Sequence, residues 1–230
     1  RAVDYADQFN AGETREKAFA TNFQRILASQ PVSILRWLKD HEPHVLANTQ
    51  WIFECKDYIR FRLTGEAFAE ITDYSGSNLL NLKERRFTPD LMETFGLGDL
   101  YDALPPLKHS TDVCGLVTPE VAAQTGLPAG IPVAAGMFDI DACAIAMDIL
   151  SDDKFCVIAG TWSINGFISR QPVTDHSVMM NSIYALPDYY FIEESSPTSA
   201  GNHEWFIEQF MSEEKQLAEA KKLPAETYRS

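Results

Sequence analysis

The segment that most restricts the fold is residues 131–147, IPVAAGMFDIDACAIAM. Its first five residues, β-branched at the start, predict a short buried strand. From Ala142 to Met147 the residues are compact and helix-tolerant, with no glycine or proline to break them. Gly136 stands at the handover. A strand passing straight into a helix belongs to α/β folds, which bind ligands beyond the carboxyl ends of their strands. Two carboxylates, Asp139 and Asp141, interrupt the apolar run at this junction. Either can cap or charge a helix N-terminus, and one can serve chemistry, so they need not share a role.

The flanking sequence differs on the two sides of this unit. Residues 1–50 carry one glycine, Gly12. RAVDYADQFN, TREKAFATNFQRILA and PVSILRWLKDHEP each space apolar residues three or four apart, which predicts helices, with Pro31 in a first turn. WIFECKDYIRFRLTG predicts a short strand-like piece and a helix closed by Gly65. ITDYSGSNLLNL opens on a cap-like Thr72-Asp73. TPDLMETFGLGDL is another short capped helix, ALPPLKHSTD a loop stiffened by Pro105 and Pro106, and CGLVT a strand before the helix PEVAAQTG. After Leu150 the polar break SDDK leads into KFCVIAGTWSINGFISR, two strands joined by a tight turn. MNSIYALPDYYFIEES adds more strand, and SAGNHEWFIEQFMSEEKQLAEAKKL predicts one amphipathic helix. Residues 1–150 and 151–230 therefore divide into a largely helical part and the start of a β-rich one.

With 33 acidic against 19 basic residues the net charge is -14, which argues against nucleic-acid or anionic-membrane binding. A nucleotide is compatible with that charge, because backbone N–H groups and a metal ion can hold phosphates. Cys55, Cys114, Cys143 and Cys156 show no CxxC pair, so free thiols in a reducing cytoplasm are expected in place of disulfides or zinc. No apolar stretch reaches the ~20 residues of a membrane span. No signal peptide opens the chain, and a soluble cytoplasmic protein is expected. A start at Arg1 and an end on KKLPAETYRS suggest a segment of something longer.

A second candidate lies in AGTWSING, residues 159–166. Gly160 follows a strand and lets the backbone turn sharply, while Thr161 and Ser163 offer hydroxyls and N–H donors to an anion. An ordinary glycine hairpin explains the same letters. Trp162 can line a cleft or pack in the new domain. Glu193, Glu194 and His203 flank SSPTSAG, where a helix cap with solvated charges explains them better than a metal site, since no ligand spacing repeats.

Taken in order, PVSILRWLKDHEP, CKDYIRFRLTGE, ITDYSGSNLL, LPPL, CGLVTPEVAAQTGLPAGIPVAAGMFDIDA, IAGTWS and ESSPTSAGNHEWF resemble the FGGY carbohydrate kinases. The pattern is most similar to the L-xylulose and xylulose kinase type. The resemblance implies an α/β protein with the actin-like, ribonuclease-H-like fold and parts of both domains of a two-domain sugar kinase. Residues 1–150 would be the second half of the first, sugar-binding domain, and 151–230 the start of the nucleotide-binding domain. It implies that Asp139 is the catalytic base and touches the sugar, and that Gly160 and Thr161 contact nucleotide phosphates. ATP and Mg²⁺ are the implied cofactors, and a pentulose such as L-xylulose or xylulose the implied acceptor; self-association stays open. Asp141 matches no catalytic position and is read as stabilising the first helical turn. The family's opening phosphate hairpin with its metal-linked aspartate, and its adenosine-binding Gly-Gly motif, have no counterpart here. The chain would thus be the middle of a kinase, inactive alone. A non-catalytic sugar-binding relative and a hydrolase on the same fold are the alternatives.

Overall fold

The computed structural model describes residues 1–160, 163–196 and 198–224. The chain opens with four helices, α1 (Val3–Phe9), α2 (Gly12–Asn22), α3 (Pro31–His41) and α4 (Pro43–Ala47). Pro31 occupies the first turn of α3, where its missing N–H is harmless, and Lys39 lies in the last turn, where positive charge suits the helix dipole.

The helical period of TREKAFATNFQRILA is not followed to its end. Phe23 enters the left-handed region, φ 52°, and closes α2 by donating its N–H to the Phe19 carbonyl. Leaving the helix lets the buried Asn22 amide donate to Asn78 Oδ1 at 2.7 Å. It also lets the buried Gln24 amide donate to the Ser75 carbonyl at 2.5 Å and to the Asn181 carbonyl. Satisfying these buried polar groups across the chain outweighs a local propensity of a few tenths of a kcal/mol per residue.

Next come α5 (Cys55–Thr64), β1 (Ala69–Glu70), α6 (Ile71–Ser75), β2 (Leu80–Asn81), β3 (Arg86–Phe87) and α7 (Pro89–Thr94). A 3-10 turn (Gly98–Ala103) leads to β4 (Leu107–Lys108), β5 (Val113–Leu116), α8 (Pro119–Thr125), β6 (Pro132–Ala134) and α9 (Asp139–Ala146). Local signals were sufficient for two of these. Gly65, φ 77°, closes α5, and the Thr118 hydroxyl caps α8 by accepting the Val121 N–H. The cap of α6 is two to three residues earlier than the expected Thr72-Asp73: the Glu70 carboxylate accepts from the N–H groups of those two residues. The strand before α9 is also less buried than expected. It pairs antiparallel with β5 alone, and such a two-stranded ladder leaves Pro132 and Ala134 exposed.

Beyond residue 150, β7 (Cys156–Ala159), β8 (Ser163–Ser169), β9 (Met180–Ile183) and β10 (Tyr190–Ser196) form one antiparallel sheet in the order β7-β8-β10-β9. Gly166 is required on β8, because a Cβ there would come 2.3 Å from the Phe191 ring. The last amphipathic stretch forms two helices, α10 (Ser199–Phe210) and α11 (Ser212–Ala220), not one. Met211 leaves the helical region at φ -124°, and the fold-back buries Ile207 and Ala218 in one cluster.

The main core gathers Tyr74, Leu79, Leu80, Leu82, Met92, Phe95 and Leu97, and takes in Ile183, Tyr190 and Ile192 from the sheet. A second core fastens α9 to that sheet through Ala144, Ile149, Cys156, Ile168, Tyr184 and Phe191. Each fully buried apolar side chain contributes about 1.5–3 kcal/mol, so α9 is a firmly seated element.

Candidate active site

The junction is built from a glycine and a helix start. Gly136 takes φ 81°, a conformation that costs glycine little, and turns the chain from β6 toward α9. Phe138 is the residue before the helix and offers no capping side chain. Asp139, the first helical residue, is exposed, and its Oδ1 accepts the Ile140 N–H at 2.8 Å. A carboxylate side chain suits the first turn of a helix, where the dipole is positive.

Asp141 does something else. It was expected as a charge at the helix end, but it is fully buried. Its Oδ2 accepts the Ala185 N–H at 2.8 Å, while Oδ1 has no partner among the described residues. Burial pushes its carboxyl well above the usual range, and Glu70, Asp73 and Asp139 act in the same direction against the one bond from Ala185. Asp141 ties α9 to the segment after β9 from a buried position; it is not a surface charge for the dipole.

Glu193 is also buried, on β10, so it is not the solvated charge expected of it. Burial raises its pKa, and the nearby Asp139 and Glu194 raise it further against a hydrogen bond from Ser195. Glu194 is exposed and accepts the Met179 N–H at 2.8 Å, and His203 lies exposed on α10.

Beneath the junction lies an ion cluster that periodicity alone does not reveal. Lys56 Nζ lies 2.9 Å from Asp57, 3.3 Å from Glu70 and 3.1 Å from Asp73. Arg60 donates to Asp57 Oδ1 at 2.9 Å and to the Ala135 carbonyl at 2.7 Å. Asp57, Arg60, Glu70 and Thr72 are all buried. Burial disfavours the Lys56 ammonium, but Asp73, Asp57 and Glu70 together outweigh it and hold its pKa above the usual lysine value. Glu54, at the start of α5, is pushed up to about 7 by burial and then by Asp73 and Asp57. The letters K-D at 56–57, R at 60 and E-x-T-D at 70–73 carried the only available signal, and it shows once α5 and α6 are seen side by side.

Gly160 ends β7, at the corner where Ala159 pairs with Ser163 across the turn to β8. Its carbonyl accepts the Ala200 N–H at 3.1 Å, which places the turn against the first turn of α10. Ser196 pairs with Ser163, three residues along β10 from Glu193, a strand distance of roughly 10 Å. Thr161 and Trp162 lie outside the described residues. Among the described residues no group of three or more His, Cys, Asp or Glu is arranged to hold a metal ion, and no helix is long and apolar enough to cross a membrane. The described residues do not by themselves build a Mg²⁺ site.

Comparison with known proteins gives a consistent answer. Residues 1–146 match the N-terminal domain of the FGGY family of carbohydrate kinases. The chain is 35% identical to the probable L-xylulose kinase of Haemophilus influenzae, over 91% of this chain and 44% of that protein. It is 34% identical to the L-xylulose/3-keto-L-gulonate kinase of Escherichia coli, over 91% of this chain and 42% of that one. The crystal structure of xylulose kinase from Rhodospirillum rubrum superimposes with a TM-score of 0.84 at 24% identity, over 98% of this chain and 47% of that one. The chain thus spans less than half the length of these relatives, and its fold is the actin-like, ribonuclease-H-like α/β fold of the FGGY kinases.

Proposed function

Because the chain belongs to the FGGY family of carbohydrate kinases, we propose that the protein carrying it transfers the γ-phosphoryl group of ATP to a hydroxyl of a pentulose such as L-xylulose or xylulose, with Asp139 as general base. The observation that carries this reading is the contrast between the two junction carboxylates: Asp139 is exposed at the head of α9, whereas Asp141 is buried and engaged with Ala185.

In this reading the sugar hydroxyl donates its proton to Asp139. Its oxygen forms a bond to the γ-phosphorus, the bond to the β,γ-bridging oxygen breaks, and ADP leaves. Phosphoryl transfer relies on positioning and charge neutralisation far more than on covalent catalysis. A carboxylate suffices as base because the hydroxyl becomes acidic only as the new bond forms. The corner at Gly160, set against the first turn of α10, supports a role in holding nucleotide phosphates, with Thr161 beside it; backbone N–H groups and a helix start both favour anions. Mg²⁺, when bound to ATP, would neutralise phosphate charge. The relatives named above are all kinases of L-xylulose or xylulose, which supports the substrate class.

The test is ADP release by the complete protein with ATP and candidate pentuloses. Sugar-dependent release supports the kinase. ADP release that ignores the sugar would replace it with a hydrolase on the same fold, and no release with any sugar would favour a binding protein.

A further inference from the structure

The segment that carries Asp139 is fixed by four backbone contacts, at Ala135, Gly136 and Phe138, before the helix begins. The Ala135 carbonyl accepts from Arg60 at 2.7 Å, and the Ala135 N–H donates to the Asp112 carbonyl at 2.8 Å. The Gly136 N–H donates to the Ser110 carbonyl at 3.1 Å, and the Phe138 N–H donates to Thr72 Oγ1 at 2.8 Å. The last of these is unusual for a helix start. Phe138 supplies no cap, so the residue immediately before Asp139 is held by a hydroxyl from a helix far away in sequence.

That hydroxyl is itself committed. Thr72 Oγ1 donates to Glu70 Oε2 at 2.7 Å while accepting from Phe138. The Glu70 carboxylate also receives the Thr72 N–H at 3.0 Å, the Asp73 N–H at 3.2 Å and the Ser110 hydroxyl at 2.9 Å, with Lys56 at 3.3 Å. A hydroxyl that donates to a carboxylate is a stronger acceptor, because hydrogen bonds in a chain polarise one another. Ser110 therefore grips the junction through its carbonyl and Glu70 through its side chain.

We propose that Thr72, held by Glu70, is a positioning residue for phosphoryl transfer: it sets where Asp139 stands relative to the sugar hydroxyl. The inference rests on Asp139 being the base. A displacement of about 1 Å in a reacting group costs up to a hundredfold in rate, and loosening the Phe138 N–H permits a displacement of that kind.

The test compares Thr72→Val with Thr72→Ser in the complete protein. Thr72→Val should lower kcat by roughly 10–100-fold while KM for sugar and for ATP stays within about threefold. Thr72→Ser, which keeps the hydroxyl, should restore kcat to within about threefold. Hydrogen exchange of peptides covering residues 134–140 should quicken in Thr72→Val and not in Thr72→Ser, a readout that needs no catalysis. If Thr72→Val does not fold, Ser110→Ala removes one donor to Glu70 and should lower kcat by about fivefold at unchanged KM. A folded Thr72→Val with wild-type kcat, unaltered exchange at 134–140, or a Ser110→Ala protein with wild-type kcat would each overturn the proposal. Failure of the base assignment looks different: Asp139→Asn would stay active whatever Thr72 does.

Discussion

Asp141 and Ala185 are joined by a partly buried hydrogen bond of 2.8 Å that spans 44 residues, from the first turn of α9 to the segment after β9. Among the described residues only one oxygen of the carboxyl has a partner, and burial raises the group's pKa well above the ordinary carboxylate value. Asparagine can keep that bond with its amide oxygen. Asp141→Asn should therefore match or exceed the wild-type melting temperature at neutral pH, with turnover within a few-fold. Asp141→Ala should lose about 1–3 kcal/mol, since it leaves the half-buried Ala185 N–H without its partner. Equal destabilisation by both changes would show that the carboxylate charge, not the hydrogen bond, matters.

Glu54 gives a prediction about pH. Its pKa in the fold, about 7, is above the ordinary carboxylate value, because burial and then Asp73 and Asp57 disfavour its charge. Between those two values the native protein keeps a proton that the unfolded chain has lost. Stability from this site is therefore full at low pH and falls as pH rises toward and through 7, by at most roughly 3 kcal/mol. Glu54→Gln removes that loss. Urea unfolding should show the variant gaining on the wild type by about 1–3 kcal/mol more near pH 8 than near pH 5. A difference independent of pH would mean that Glu54 is ionised in the fold.

At Gly160 the expectation concerns the nucleotide. If its backbone approaches the phosphates, a Cβ there hinders the contact. Gly160→Val in the complete protein should raise KM for ATP by about tenfold or more and leave sugar binding without nucleotide largely intact. A plain hairpin glycine would instead lower both affinities and the melting temperature together. Unchanged ATP affinity in a well-folded variant would remove Gly160 from the site.

What was legible in advance was local. Gly65 closes its helix in the left-handed region and Pro31 opens another, because each works through its own few neighbours. Phe23 broke the helical pattern for a distant reason, the pairing of Asn22 and Gln24 with Asn78 and Asn181. The strand–helix junction and its two aspartates were also visible, but which of them met water was not. That depends on the sheet packed against α9, whose strands begin after the junction. Asp73 read as part of a local helix cap, and its link to Lys56 and Glu70 showed only when α5 and α6 came together.

The central claim is that Asp139 is the base, and the most direct measurement is turnover of Asp139→Asn in the complete protein, read as ADP release with ATP and L-xylulose. The side chain is exposed and makes one local bond, to the Ile140 N–H, so the variant should fold and bind nucleotide as the wild type does. Loss of a general base typically costs 10²–10⁴ in rate, and kcat should fall on the order of that range. Turnover within a few-fold of wild type, in a protein that still binds ATP, would contradict the claim.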